Sequence, residues 1–313
     1  MGHLDGKVAA VTGPGGGLGQ SYALALALEG AAVVVNDIAT GLGGDSRPAD
    51  QTVQLIIDQG GKAVSNYDDI STVAGGQSLL NTALKHFDRI DILVNNAGIL
   101  RDSSLVKMDE AQWDAVIAVH LKGLYSVTRP VFTWMKENGC RGVIVNTTST
   151  VGLRGNFGQS NYGAAKCGVI GFTSSLAIEG KKYGIRVWNL GPAAATAMTA
   201  HMPDEYKRVF HIDRVAPTLI YMVSALSGDQ TGKTLLAGGG WVGEVRFEVH
   251  QGYTPSDDFD AEELARAVGS GDVLFPERDT KFVTAYGPTN AGESLLRSNT
   301  RIKTPCSTRP GQP

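Results

Sequence analysis

From Lys7 to Gly240 the chain repeats one pattern: a short β-branched run, a break, then a longer segment rich in alanine and leucine. Short apolar runs bounded by turn residues suit strands buried on both faces, and their alternation with helical segments selects a parallel sheet covered by helices. Seven strands are predicted, at residues 8–12, 32–36, 63–67, 90–95, 142–148, 185–190 and 234–237. Between the first two, the segment 18–29 carries Leu18, Tyr22, Ala25, Leu26 and Glu29 near helical spacing and stops at Gly30. The expected architecture is α/β: a doubly wound parallel sheet of seven strands with helices on both faces.

With 313 residues, 42% of them hydrophobic, the chain can bury one large core and carry an appendage. One domain is expected over 1–250 and a C-terminal extension over 251–313, helical at 261–268 behind Asp260 and loosely ordered at 287–313. Residues 41–50, "GLGGDSRPAD", read as a surface loop, and 192–213, with its charged piece "DEYKRVF", has the composition of a lid. A formal net charge of −3 gives no reason to expect nucleic acid or an anionic membrane as partner. Cys140, Cys167 and Cys306 are odd in number and lack metal or redox spacing, so neither disulfide nor metal site is expected. With no signal-like start and no apolar run of about 20 residues, the expected compartment is the cytoplasm.

The break after the first strand is Thr12-Gly13-Pro14-Gly15-Gly16-Gly17-Leu18-Gly19. Glycines there let the backbone turn tightly and approach a pyrophosphate, whose charge a helix N-terminus favours. With Asp37 eighteen positions beyond Gly19, this reads as a dinucleotide site using Gly13, Gly17, Leu18, Gly19 and Asp37. A carboxylate at that strand end accepts bonds from both adenosine ribose hydroxyls and repels a 2'-phosphate. No Lys or Arg lies in the turn or directly after Asp37, so NAD is expected rather than NADP. The alternative for Asp37 is a cap on the following turn. Asp69 has the position to meet the adenine amino group, with Asp68 as the competing choice.

Further on, "QSNYGAAK" sets Tyr162 and Lys166 four residues apart on a helix, hence on one face. A phenol with a pKa of about 10 is a poor base at neutral pH, and a neighbouring ammonium stabilises its phenolate, so the pair reads as an activated acid/base. A lone Tyr-x-x-x-Lys is otherwise a surface pair. Ser149, thirteen residues before Tyr162 at the end of "GVIVNTTS", offers a hydroxyl at the carboxyl edge of the sheet, where α/β sites lie. Cys167 reads as a small packed helix residue. Arg154, between Gly152 and Gly155, either meets a substrate carboxylate or phosphate or faces solvent. Lys181 with Lys182, and Lys207 with Arg208, are basic pairs open to a phosphate or to solvent.

Together "TGPGGGLG", "NNAG" at 95–98, Ser149, "YGAAK" and "NLGPAAATAMT" resemble the short-chain dehydrogenase/reductase family over about residues 4–248. The resemblance implies a Rossmann-type domain in which Tyr162 is the catalytic acid/base, Ser149 polarises the substrate oxygen and Lys166 also binds the nicotinamide ribose. It implies that Asn96, Ala97 and Gly98 lie beside the cofactor and that Thr196 contacts the carboxamide. The family's fourth catalytic residue is an asparagine three positions before a glycine. Here "VHLKG" has His120, either a packed helix histidine or a proton-relay group with a changed donor and acceptor set.

The stretches "VVVND", "NYD", "NNAGILRD", "VHLKG" and "GNFGQSNYGAAK" are similar to the (3R)-hydroxyacyl-CoA dehydrogenase domain of D-specific peroxisomal multifunctional enzymes and their bacterial stand-alone relatives. The function so implied is NAD-dependent interconversion of a secondary alcohol and a ketone, on a (3R)-hydroxyacyl thioester. A hydroxysteroid or another bulky secondary alcohol is the alternative substrate. A catalytically silent nucleotide-binding partner protein is the remote alternative, against which an intact Ser149, Tyr162 and Lys166 set argues. The resemblance further implies a homodimer or homotetramer packed through helices around 107–122 and 162–183.

Overall fold

The structure, a computed structural model, describes residues 2–39, 47–196, 204–249, 251–255, 259–271 and 273–274. Most of the expected loop (41–46), part of the expected lid (197–203), the tail 287–313 and Cys306 lie outside the described residues. The described residues fall into two compact units, divided after Arg246.

In the first unit the elements run β1 (Val8–Thr12), α1 (Gly17–Leu28), β2 (Ala32–Asn36), α2 (Pro48–Asp58), β3 (Lys62–Asn66), α3 (Val73–Phe87) and β4 (Ile92–Asn95). There follow α4 (Glu110–Ile117), a π-helical turn (Ala118–Lys122), α5 (Gly123–Glu137), β5 (Val143–Thr147), α6 (Val151–Arg154) and α7 (Ser160–Lys181). The unit ends with β6 (Arg186–Ala193), α8 (Asp204–Val209), α9 (Ala216–Val223), β7 (Thr234–Gly238) and β8 (Trp241–Val245). The sheet order is β3-β2-β1-β4-β5-β6-β7-β8, and only β8 is antiparallel to its neighbour. Winding reverses between β1 and β4, which opens a crevice at the carboxyl ends of those strands.

Alternation along each strand feeds two cores. Ala9 and Val11 of β1 join Tyr22, Leu26, Val33, Val35, Trp188 and Leu219 on one face. Val8 and Ala10 join Val34, Leu79, Val127, Val131, Ile144 and Val187 on the other, under α3, α5 and α7. Burial on both faces explains the unbroken apolar strands.

All seven expected strands are present, and the eighth is a correction. Gly239 (φ 60°) and Gly240 (φ 86°) form a tight turn that returns Trp241–Val245 along β7. Positive φ at both central positions matches the twist of a hairpin, and here glycine supplies it. The loop expected at 41–50 ends early as well, because Pro48 pre-sets the first turn of α2. In the second unit, α10 (Ala261–Ser270) starts where the Asp260 side chain accepts from Glu263 N at 2.6 Å, as expected for that acceptor. Among the described residues no helix is long and apolar enough to cross a membrane.

Candidate active site

The Thr12 hydroxyl at the end of β1 accepts from the amides of Asn96 and Ala97, each at 3.1 Å, tying the turn after β1 to the turn after β4. Asn96 Nδ2 donates to the carbonyls of Thr12 (3.2 Å) and Gly13 (3.3 Å). Gly13 has φ 69°, and a methyl added there would stand 2.7 Å from Ala97 Cα, so no other residue fits. Leu18 packs into the core and anchors the turn. The first turn of α1 has neither a side-chain cap nor an acidic residue, which leaves its N–H groups and positive dipole end for an anion. A methyl added at Gly16 would meet nothing within 4 Å, and one at Gly17 only the Thr196 side chain, 3.8 Å away. The surface beside that helix end is open, with Thr196 at its flank.

Asp37 follows β2 and does two local jobs. Its Oδ2 accepts from Gly15 N and its Oδ1 from Ala39 N, both at 2.9 Å, so the carboxylate braces the glycine turn and caps its own turn. Asp68 Oδ2 accepts from Asn66 Nδ2 (2.8 Å) and Ser78 Oγ (2.6 Å). Asp69 is exposed, its Oδ1 accepting from Ser71 N at 2.9 Å. Of the two neighbours, Asp69 keeps the freer carboxylate.

Beyond β5, Ser149 Oγ accepts from Val151 N at 3.2 Å at the start of α6. The Ser149 hydroxyl is near enough to the Tyr162 phenol, in the first turn of α7, to favour its ionised form. Lys166, one turn further on, is buried; its Nζ donates to Thr147 O at 2.6 Å and lies 5.7 Å from the Tyr162 ring centre. Thr148 Oγ1 donates to Lys166 O at 2.9 Å, so β5 and α7 are stitched together at the site. The lowered phenol pKa expected from Lys166 is not found. Burial raises Tyr162 above its ordinary value, the nearby Ser149 hydroxyl pulls it back, and Asp102 pushes it further up. Burial also brings Lys166 from 10.5 down to about 7, so at neutral pH its charge is partial, and its amine is turned toward Thr147.

His120 sits on the π-helical turn, buried, edge-on to Tyr162 with ring centres 5.1 Å apart. A methyl added at Gly98 would come within 2.4 Å of His120 Cε1, so Gly98 makes room for this ring. Nε2 lies 2.8 Å from Ile99 O and 3.0 Å from Ile99 N, donating to the first or accepting from the second according to tautomer. Burial first, then the Lys166 charge, drives its pKa to about 3, so the ring is neutral at physiological pH. Among the described residues, His120 Nδ1 and Thr147 Oγ1 are buried without a partner. Both residues, with Lys166, Asn95 and Thr12, line a cavity of about 10 Å³, the scale of one water.

The remaining candidates separate from this group. Arg154 is exposed at the end of α6, with no side-chain partner among the described residues. Cys167 is exposed, not packed as expected. Lys181 ends α7, nineteen residues and roughly 28 Å along the helix from Tyr162, so Lys181 and Lys182 belong to the opposite end of the fold. Lys207 Nζ pairs with Asp204 Oδ1 at 2.9 Å on α8. Sequence reading missed the latch before Tyr162. Buried Asn161 Nδ2 donates to Arg101 O (3.1 Å) and Gln112 O (3.2 Å), and Gln159 Nε2 to Asp102 Oδ2 (2.8 Å). The signal was a polar pair flanking Ser160 in "QSNY".

A parallel sheet with a glycine turn at its crevice and a Ser-Tyr-Lys group at its carboxyl edge defines a nucleotide-dependent oxidoreductase. The family model for short chain dehydrogenase matches residues 7–207, and the chain belongs to that family, whose dehydrogenases use nicotinamide cofactors. It is 44% identical over 250 residues to peroxisomal multifunctional enzyme type 2 of Mus musculus, covering 79% of this chain and 33% of that enzyme. It is 44% identical over 204 residues to a hydroxyacyl-CoA dehydrogenase of Mycobacterium tuberculosis, covering 63% of this chain and 64% of the other. Among solved structures, a short chain dehydrogenase from Mycobacterium avium superposes with a TM-score of 0.79 at 36% identity, covering 88% of this chain and 98% of its own. The chain thus spans only a third of the mouse enzyme's length.

Proposed function

We propose that this chain is an NAD-dependent dehydrogenase that interconverts a secondary alcohol and a ketone, with a (3R)-hydroxyacyl-CoA type thioester as substrate. The observation that carries the reading is the grouping at the carboxyl edge of β5 of the Tyr162 phenol, the Ser149 hydroxyl that favours its ionised form, and buried Lys166 bonded to Thr147 O. The substrate class is supported by likeness to a hydroxyacyl-CoA dehydrogenase. Residues 1–250 form the catalytic domain in this reading, with 251–313 as an extension. The exposed apolar side chains Trp113, Tyr125 and Ile178 on α4, α5 and α7 support a homodimer or homotetramer. The cytoplasm is the compartment this reading assigns.

The open glycine surface at an uncapped helix end and the carboxylate after β2 fit a dinucleotide. Gly13, Gly17, Leu18 and Gly19 would hold its pyrophosphate, Asp37 and Asp69 its adenosine half, and Asn96, Ala97, Gly98, Thr196, Tyr162 and Lys166 its nicotinamide half. When bound, the cofactor supplies the hydride acceptor for alcohol oxidation. Ser149 and Tyr162 hold the alcohol oxygen, and Tyr162 removes its proton in oxidation or donates one in ketone reduction. Lys166 exchanges protons beside the phenol, and His120, neutral, bonds the Ile99 peptide while its ring edge packs on the Tyr162 ring.

The test is NADH formation with (3R)- and (3S)-3-hydroxyacyl-CoAs, hydroxysteroids and simple secondary alcohols. Tyr162→Phe should lower kcat by about 100-fold or more with NAD binding retained. Turnover of steroids alone would move the substrate reading to that class. A chain that binds NAD but oxidises none of these would be a nucleotide-binding partner protein.

A further inference from the structure

We propose that Thr173 is a positioning residue that fixes the axial register of α7 and so sets Tyr162 and Lys166 against the end of β5. The inference rests on the catalytic reading of those two residues. Thr173 lies seven residues past Lys166 and eleven past Tyr162, within about 20° of both around the helix and roughly 10 and 16 Å along it. All three therefore share the stripe that faces the sheet.

Near its start the helix is held by the Lys166 and Thr148 bonds to β5 and by the Asn161 latch, but its middle packs weakly. Its sequence, SNYGAAKCGVIGFTSSLAIEGK, is interrupted by Gly163, Gly168, Gly171 and Gly180, which weakens the ridges that lock one helix into a neighbour's grooves. Thr173 supplies a directional lock at that middle. Its hydroxyl accepts from Asn146 Nδ2 on β5 at 2.8 Å and donates to Asn189 Oδ1 on β6 at 2.6 Å. Asn146 and Asn189 are register partners in adjacent strands, so the helix is pinned across two strands at once. The chain continues both ways, through Asn95 Nδ2 to Asn146 Oδ1 (2.9 Å) and Asn189 Nδ2 to Thr234 Oγ1 (3.1 Å). Asn146, Thr173 and Asn189 are all fully buried, so a slip of α7 would strand these groups with no water to replace the lost bonds. A misplacement of about 1 Å at a reacting group is enough to cost up to 100-fold in rate.

Three variants test this. Thr173→Val keeps the shape and removes the hydroxyl, Thr173→Ser keeps the hydroxyl, and Thr128→Val removes the hydroxyl on α5 that accepts from Asn95 Nδ2 at 3.0 Å in the same network. Thr173→Val should lower kcat about tenfold, with KM and NAD affinity within about twofold. Thr173→Ser should restore kcat to within about twofold of wild type, and Thr128→Val should lower Tm while leaving kcat within about twofold. The tyrosinate absorbance titration of Tyr162, taken as wild type minus Tyr162→Phe, should shift in Thr173→Val alone. Wild-type kcat and an unshifted titration in Thr173→Val would overturn the proposal, as would equal kcat losses in Thr128→Val. Should Thr173→Val not fold, Thr173→Cys, which matches Thr173→Ser in shape but has only a weak donor and acceptor, takes its place with the same outcomes. A wild-type chain that turns over no substrate would overturn the catalytic reading, and the tyrosinate titration would still decide this one.

Discussion

Replacing Lys166 by methionine should abolish turnover and yet make the protein more stable at neutral pH. Burial lowers the amine from its usual 10.5 to about 7. In the unfolded chain the side chain binds a proton throughout that window, while in the folded chain it loses it, so stability rises with pH between about 7 and 10.5. The cost of burying Lys166 is complete below about pH 7, where it reaches about 5 kcal/mol at about 1.4 kcal/mol per pH unit. At pH 7 about 4 kcal/mol remains, and at pH 9.5 about 1. Methionine escapes this cost with a side chain of similar length but forfeits the bond to Thr147 O, worth about 1.5 kcal/mol.

The variant should therefore be more stable by about 3 kcal/mol at pH 7 and nearly equal to wild type at pH 9.5. Urea unfolding midpoints of both proteins at the two pH values give the comparison, and groups common to both cancel in the difference. An advantage that is the same at both pH values would show that the amine is not desolvated as its burial requires. A variant less stable at both would show that the Thr147 bond outweighs the buried amine.

Because burial raises the Tyr162 phenol, its base form is scarce at neutral pH, so alcohol oxidation should accelerate up to at least pH 9 while ketone reduction, which uses the neutral phenol, stays flat. Initial rates in both directions from pH 6 to 9.5 would measure this, and oxidation flat across that range would refute it. Asp37→Ala removes acceptors from Gly15 N and Ala39 N, so it should cost about 1–2 kcal/mol in stability and narrow an NAD preference of about tenfold or more. Thermal unfolding and kcat/KM with NAD and NADP check the two halves separately. Arg154→Ala should raise KM about tenfold for a substrate with a carboxylate near its hydroxyl and leave a neutral one of similar size unchanged; equal ratios would return Arg154 to solvent.

The strands were legible because their burial on both faces leaves the same signature in sequence: "VAAVT", "AVVVN", "ILVN" and "VIVNT" are apolar almost without interruption. The β8 hairpin leaves a fainter trace in "GGWVGEV", where two glycines precede an edge strand that alternates between half-buried and exposed residues and so lacks an apolar run. Tyr162, Lys166 and Ser149 were legible as a spacing, and the structure brings all three together. The sign of the phenol's shift was not, since a helical i, i+4 pair reveals proximity but not how deeply the two groups are buried. The polar network beneath the site left a trace that only the register explains. Asn36, Asn66, Asn95 and Asn146 each sit at or next to the end of a strand, and Asn189 lies beside Asn146.

Those strand-end amides and the shifted groups have one cause. The site lies where the dry sheet meets the crevice, and dehydration disfavours any charge not answered locally. Tyr162 is raised, Lys166 lowered and His120 lowered, each toward its neutral form. Asparagine and threonine, unlike carboxylates or amines, can be buried beneath them without altering that balance, because a chain of amide and hydroxyl bonds is satisfied with no net charge. A substrate oxygen that becomes an alkoxide between Ser149 and Tyr162 would thus be the strongest local charge in the pocket. Lys166, poised near pH 7, would be the nearest group able to gain a proton in answer. A lysine held at 10.5 would carry its proton before the reaction and would have no lone pair left to take one up during it. The desolvation that makes Lys166 costly to the fold is, on this argument, what lets it respond as the alcohol gives up its proton.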